Sequence, residues 1–341
     1  QTKELPKGVD RLVTAMNNSS SLLLKIISDI LDFSKIESEQ LKIEPREFSP
    51  REVMNHITAN YLPLVVRKQL GLYCFIDPDV PVALNGDPMR LQQVISNLLS
   101  NAIKFTDTGC IVLHVQCSGD YLSIRVRDTG VGIPAKEVVR LFDPFFQVGT
   151  GVQRNFQGTG LGLAICEKLI SMMDGDISVD SEPGMGSQFT LRIPLYGAQY
   201  PLKKGVEGLA GTRCWLAVRN ASLYHFLESS LTRNGMMVLR YEGQQPDADD
   251  LLVADDVLEQ AWQGRAAVIF CRRHIGIPLE REPGEWVHSV ASPHELPALL
   301  AHIYSVELGS EELSTALPTP DKAGATNDDM MILVVDDHPI N

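Results

Sequence analysis

Gln157-Gly158-Thr-Gly160-Leu161-Gly162-Leu-Ala-Ile165 decides how the middle of this chain is read. Three glycines at alternate positions lead into an apolar helical run, Leu163–Met173. Bare backbone N–H groups therefore stand at a helix N-terminus, where an anion such as phosphate is held. Two familiar phosphate motifs are excluded. A dinucleotide fingerprint, G-x-G-x-x-G, needs glycine where Leu163 stands and a strand before it. A P-loop needs Gly-Lys-Ser/Thr at its end, and none follows. The partners of this loop have to be sought elsewhere in the chain.

Upstream, a helix and a turn supply them. In the helical run Arg90–Lys104, at about 100° per residue, Asn101 lies roughly 40° from Asn97 and Lys104 roughly 20° to the other side. Arg90 and Gln93 share that face, while Ile95, Leu98, Leu99 and Ala102 lie opposite. Two carboxamides and an ammonium so placed can hold hydrated Mg²⁺ and the phosphates it carries. Taken alone, they also fit the solvated side of any amphipathic helix. Asp128-Thr-Gly130-Val-Gly132-Ile-Pro134 directly follows an alternating strand, Leu122–Val126. A buried carboxylate at a strand end accepts an exocyclic amine such as that of adenine, and glycines let the backbone approach a flat ligand. An ordinary strand-to-turn Asp-Thr-Gly is the plain alternative. Between Asp143 and Gln157, a glycine-containing segment flanked by Phe145, Phe146 and Phe156 and holding Arg154 has the make-up of a lid. Gly184-Met-Gly186-Ser-Gln-Phe-Thr190 reads as a hairpin turn opening a last strand.

The rest of the chain frames this unit. Residues Val9 to about Leu41 form one long helix, with Leu12, Met16, Leu23, Ile26, Ile27, Ile30, Leu31 and Phe33 in an apolar stripe. Lys25, Asp29, Asp32 and Lys35 stay outside that stripe, and Glu44-Pro45 and Ser49-Pro50 close the segment. Such a helix either packs on its own domain or forms half of a helical hairpin in a dimer. From Pro50 to about Leu195, helices Val53–Val66 and Arg90–Lys104 mix with strands Ile111–Val115, Leu122–Val126 and Phe189–Ile193, an α+β sandwich with helices on one face of a sheet. After a linker at 196–205, strands Cys214–Val218, Met236–Leu239, Leu251–Ala254, Ala267–Phe270 and Trp286–Val290 alternate with helices Leu223–Arg233, Val257–Trp262 and Glu295–Tyr304. That alternation predicts a small parallel-sheet unit. Residues Gly309–Asp329 have linker composition, and Ile332–Val335 begins a further buried strand.

Composition narrows the function classes. The 341 residues carry 30 Lys+Arg against 43 Asp+Glu, a net charge of −13, which argues against a nucleic-acid or anionic-membrane binder. No apolar run approaches the ~20 residues of a spanning helix, and Gln1–Gly8 is not a signal peptide. Six scattered cysteines without Cys-x-x-Cys point to a reducing compartment rather than a disulfide scaffold. The chain reads as cut at both ends, opening mid-segment and closing on an unfinished strand, Met330–Asp337.

The motifs gain their meaning from their order. Asn97…Asn101…Lys104, Asp128-x-Gly130-x-Gly132, Phe142…Phe145-Phe146, Gly158-x-Gly160-x-Gly162 and Gly184-x-Gly186-Ser187 together resemble the N, G1, F, G2 and G3 boxes of sensor histidine kinases. The resemblance covers residues 50–195 or thereabouts and implies a Bergerat-type α/β sandwich that binds ATP and Mg²⁺. In it Asp128 contacts adenine, Asn97 and Asn101 serve Mg²⁺, Lys104 and Arg154 reach phosphate, and Thr190 lies near the base. Gly130, Gly132, Phe142, Gly158, Gly160, Leu161 and Gly162 complete the expected nucleotide contacts. ATP-hydrolysing relatives, topoisomerases and chaperones, carry a Glu as general base four residues before the metal-binding Asn. Here that position is Asn97, and an amide takes no proton from water. Transfer to an acceptor is favoured over two rivals, a hydrolytic ATPase and a non-catalytic nucleotide-binding scaffold.

The same resemblance divides the chain. Residues 1–45 read as the second helix of a dimerisation hairpin, 46–200 as the catalytic domain, 201–308 as a degenerate receiver-like domain, 309–329 as linker and 330–341 as the first strand of a receiver domain. No box of the kind that carries the phosphoacceptor His is present; His294-Glu-Leu-Pro297 lacks its Arg-Thr pair. Asp336 and Asp337 stand where a receiver's Mg²⁺-binding acids would. In the 201–308 unit Arg219 and Asn220 replace such acids, leaving Asp255 a weak phosphoacceptor candidate. The family then implies a homodimer, a receiver in cis, a histidine-phosphotransfer protein downstream, no nucleic acid, and a place on the cytoplasmic side of a bacterial inner membrane.

Overall fold

The computed structural model describes residues 9–148, 159–200, 209–245, 247–255, 266–271, 279–282, 285–289 and 291–307. The first helix, α1 (Val9–Glu37), stops short of the expected Leu41. Glu39 adopts a left-handed φ of +55°, which breaks the helix and lets Leu41 turn into the core. Leu23, Leu24, Ile27, Ile30 and Leu31 stay exposed along α1.

The next unit runs β1 (Arg46–Phe48), α2 (Pro50–Arg67), β2 (Gly71–Ile76), β3 (Leu84–Gly86), α3 (Pro88–Phe105), β4 (Cys110–Ser118), β5 (Tyr121–Asp128), α4 (Ala135–Val138), α5 (Gly162–Met172), β6 (Asp176–Glu182) and β7 (Gly186–Pro194). Both long helices start on a side-chain cap followed by proline. Ser49 Oγ accepts from the Glu52 N–H at 3.4 Å, and Asp87 Oδ1 accepts from the Met89 and Arg90 N–H groups at 3.1 Å each. These caps satisfy N–H groups that have no partner inside the helix.

The main sheet has the order β2-β4-β5-β7-β6; β2 pairs β4 in parallel and the other neighbours are antiparallel. One face, from Leu72 and Ile111 across Ile124 and Val126 to Phe189 and Leu191, joins the apolar sides of α2, α3 and α5 in one core. This is the helix-covered α/β sandwich expected for the span. Two of its strands escape the periodicity reading. In β2 all six residues are buried, because Leu72, Cys74 and Ile76 face the helical core while Tyr73 and Phe75 face a second core. The edge strand β6 alternates Ile177 and Val179 with Asp and Ser.

The second unit comprises β8 (Arg213–Ala217), α6 (Ala221–Arg233), β9 (Met237–Arg240), β10 (Leu251–Ala254), β11 (Ala266–Cys271), β12 (Leu279–Glu282), β13 (Glu285–Ser289), a 3-10 turn (Pro293–Glu295) and α7 (Leu296–Glu307). Its sheet order is β12-β13-β11-β10-β8-β9, with every pair parallel except β12–β13. The parallel sheet is as expected; the antiparallel edge strand is an addition. The expected helix Val257–Trp262 and everything beyond residue 307 lie outside the described residues.

The two units are packed together. Phe226 on α6 stacks on Phe75 at 4.8 Å between ring centroids, and Leu223, Leu227 and Leu296 join Tyr73 and Phe75 in the second core. Arg233 reaches Asp79 at 2.9 Å. Deeper in the junction, His294 places Nδ1 3.2 Å from the Cys74 carbonyl and Nε2 3.0 Å from the Asn55 amide oxygen. Asn55 Nδ2 donates to Glu295 at 2.7 Å. Burial, then the nearby Arg51 charge, push the His294 pKa down to about 3.

Candidate nucleotide site

Asp128 closes β5 on the face whose neighbours, Ile124 and Val126, are buried in the core. Only 6% of it is exposed. Its Oδ1 accepts from the Gly130 N–H at 2.8 Å and from the Ser187 N–H at 3.3 Å. Burial raises its pKa, and these two backbone donors pull it back. Both bonds fall on one oxygen, so Oδ2 retains its capacity for a further donor. The turn beyond it is locked onto its surroundings. Val131 N–H donates to the Phe105 carbonyl at the end of α3, and Gly132 has a φ of +68° with the Glu182 carbonyl 2.0 Å from where a Cβ would stand. No L side chain fits there.

The helix α3 crosses from this turn to the start of α5. Asn97, Asn101 and Lys104 are half-buried on it. Asn97 Nδ2 donates to the Cys166 sulfur at 3.1 Å. At Gly162 a Cβ would lie 2.8 Å from both ends of the same amide, so glycine is what admits Asn97 against α5. Lys104 Nζ sits 4.9 Å from the centroid of the Phe105 ring. No side chain caps α5 at its N-terminus, which leaves its first-turn N–H groups turned to the same end as the α3 amides.

The described residues on either side of the 149–158 segment, Phe145 and Thr159, meet α1. Phe145 N–H donates to the Gly160 carbonyl at 3.0 Å, the Phe145 ring meets Phe33 edge-on at 6.2 Å, and Phe142 packs on the core. Thr159 Oγ1 donates to Asp29 at 3.0 Å. Gln93 Nε2 donates to Asp32 at 2.9 Å. These α1 contacts were not legible in the motifs; Asp29 and Asp32 looked only like the polar side of a helix.

Two expected contacts, Thr190 and Leu161, need a closer look, and four more residues lie outside the described ones. Thr190 pairs with Arg125 and Ser178, an odd number of positions from Asp128 along the pleat, and so falls on the opposite face of the sheet. Ser187, immediately after Gly186, takes the place near Asp128 expected for Thr190. Leu161 is 1% exposed in the core and its N–H donates to Thr159 Oγ1 at 3.2 Å, so its side chain anchors the loop. Arg154, Gly158, Asp336 and Asp337 lie outside the described residues. In the second unit, Asp255 Oδ2 accepts from the Arg219 and Asn220 N–H groups at 2.8 and 3.1 Å.

A family described as histidine kinase-, DNA gyrase B- and HSP90-like ATPase matches residues 86–197, and one described as RcsC alpha-beta-loop matches residues 214–304. Sensor histidine kinase RcsC of Salmonella typhi is 88% identical over all 341 residues. Along its whole length the chain is similar to a sensor histidine kinase. RcsC of Escherichia coli K12 is 86% identical over the same span. The chain covers 36% of the length of each of these two relatives. Sensor histidine kinase GacS of Pseudomonas protegens is 41% identical over 201 residues, 57% of this chain and 22% of that protein. The crystal structure of full-length ShkA in complex with AMPPNP shares the fold, with a TM-score of 0.64 and 24% identity over 79% of this chain and 58% of that one. Residues 86–197 thus match an ATPase-like family and carry a fold shared with ShkA.

Proposed function

We propose that this chain binds ATP between Asp128 and the α3–α5 pair and delivers its γ-phosphoryl group to a histidine imidazole supplied by the same protein or its dimer partner. The observation that carries the reading is the Asp128 cradle: a buried carboxylate, one oxygen held by two backbone N–H groups, the other left to accept from the adenine amine. Lys104, with Arg154 from the lid, faces the triphosphate charge, and the uncapped start of α5 holds phosphate oxygens. Asn97, where hydrolytic relatives have a Glu, provides no base for water, which keeps the γ-phosphoryl group for the acceptor.

Mg²⁺ fits the donor set. Because Asn97 commits its Nδ2 to Cys166, the hard carbonyl oxygen is the end that remains, and Asn101 offers another one turn on. Among the described residues no cluster of three or more His, Cys, Asp or Glu forms an all-protein cage, as suits a cation that keeps waters and phosphate ligands. When bound, it neutralises developing charge on the phosphates.

The exposed apolar run of α1 supports a homodimer through a helical hairpin. Beyond it, the reading takes in a receiver domain in cis, with Asp336 and Asp337 as its Mg²⁺ acids, and a downstream histidine-phosphotransfer protein. No described helix is long and apolar enough to cross a membrane; the full protein is read as an inner-membrane sensor with this portion on the cytoplasmic side. The test is acceptor reconstitution: the chain, labelled ATP and Mg²⁺ are mixed with a separate hairpin bearing the acceptor His. Acid-labile label on the hairpin supports the reading, and steady phosphate release with no labelled hairpin overturns it in favour of hydrolysis.

A further inference from the structure

We propose that Cys166 is a positioning residue for the Asn97 amide, its sulfur accepting Nδ2–H so that Oδ1 is the end presented to the cation-bearing phosphates. The inference rests on the reading of Asn97 as a ligand-facing amide and adds what orients it. A carboxamide is nearly symmetric in shape and opposite in polarity at its two ends, so packing alone does not choose between them; a hydrogen-bond partner does.

Cys166 is that partner. Its sulfur lies 3.1 Å from Asn97 Nδ2 and the residue is 1% exposed, so no solvent competes for the bond. Sulfur is a weak acceptor, but an amide N–H pressed against α5 without one costs more than the bond itself contributes. Gly162 stands one helical turn earlier on the same side of α5 and meets the amide at both ends, 2.8 Å from its virtual Cβ. The amide is therefore gripped at two points of one helix: Gly162 fixes its depth and Cys166 its polarity. The thiol also lies 3.9 Å from the Val94 carbonyl, one turn before Asn97 on α3, which aims the S–H away from the amide and leaves sulfur lone pairs toward it.

The test compares nucleotide binding with and without Mg²⁺ by calorimetry for wild type, Cys166→Val, Cys166→Ala and Cys166→Ser. Val keeps the approximate volume and removes the acceptor, Ala removes both, and Ser restores an acceptor. In Val and Ala, ATP affinity with Mg²⁺ falls about tenfold while affinity without Mg²⁺ changes less than about twofold; Ser stays within about threefold of wild type in both. In metal-free protein the Asn97 side-chain ¹⁵N–¹H₂ resonances, assigned by their loss in Asn97→Asp, shift in Val and Ala and stay near wild type in Ser. Equal losses with and without Mg²⁺ show mere packing damage and overturn the inference. If Asn97→Ala loses Mg²⁺-dependent affinity and Cys166→Val does not, the Cys166 role fails and Asn97 stands. If Asn97→Ala itself binds as wild type, both fail.

Discussion

Two carboxylates in this chain end buried strands in nearly the same way. Asp128 follows β5 and accepts two backbone N–H groups on one oxygen; Asp255 follows β10 and does the same. Their surroundings separate them. Around Asp128 the donors are Gly130, which has no side chain, and Ser187, whose hydroxyl is engaged with Ser181 at 2.9 Å. Around Asp255 the donors are Arg219 and Asn220, the residues that lead into α6, so the carboxylate ties a strand end to a helix start. On the proposed reading, one local device serves as a ligand cradle in the first unit and a structural staple in the second. What differs is the presence of glycine, of facing amides on α3 and of an uncapped helix.

The largest effect that sharpens this comparison comes from Asp128→Asn. It exchanges an acceptor for a donor opposite the adenine amine, and ATP affinity should fall at least about 100-fold. The melting temperature should change little, since an Asn oxygen still accepts from Gly130 and Ser187. Thermal unfolding and calorimetry on one sample separate the two readings. Phe75→Ala attacks the joint between the units: losing a buried ring stacked on Phe226 should cost about 3 kcal/mol in denaturant unfolding. Nucleotide affinity should stay within about twofold, because the ring lies on the sheet face opposite the site. Asp255→Asn should cost about 1 kcal/mol and leave ATP binding untouched. A loss of binding there would break the contrast.

The joint also carries a pH dependence. The packed state holds His294 neutral down to about pH 3, whereas the freed imidazole takes up its proton near 6.5. Below about pH 6.5 the separated state therefore binds more protons, and the packing weakens as pH falls from there toward 3. Glu295, raised chiefly by burial, works the other way near and above its ordinary carboxylate range. Arg51, Asn55, the Cys74 carbonyl and His288 complete the surroundings. Denaturant midpoints from pH 7.5 to 5 should fall modestly in wild type, fall more steeply in Glu295→Gln, and no longer fall, rising slightly toward acid, in His294→Gln. A steep acid loss surviving in His294→Gln assigns the effect elsewhere.

The sequence revealed the parts whose chemistry constrains residue type. Asn97, Asn101, Lys104, Asp128 and the glycine loops stand out in the sequence because few residues offer an amide, an ammonium, a carboxylate or an open backbone. The helical core and the parallel second sheet followed from apolar periodicity. What stayed hidden depends on distant packing. β2 shows no alternation because its two faces feed two cores, and the second core comes from residues about 150 to 220 positions later. His294 reads as a box without its Arg-Thr pair; its partners Asn55 and Cys74 are equally remote in sequence. Thr190 was misplaced by one step of the pleat, an error that counting alternation from Phe189 would have caught, and Ser187 was passed over although it adjoins Gly186.

The account turns on where the nucleotide binds, and calorimetry of ATP with Mg²⁺ on wild type, Asp128→Asn and Asp255→Asn tests it directly. Wild type and Asp255→Asn should bind with micromolar-range affinity and Asp128→Asn should show no measurable heat. Binding by Asp128→Asn at wild-type strength, or no binding by wild type, would contradict the cradle as the site.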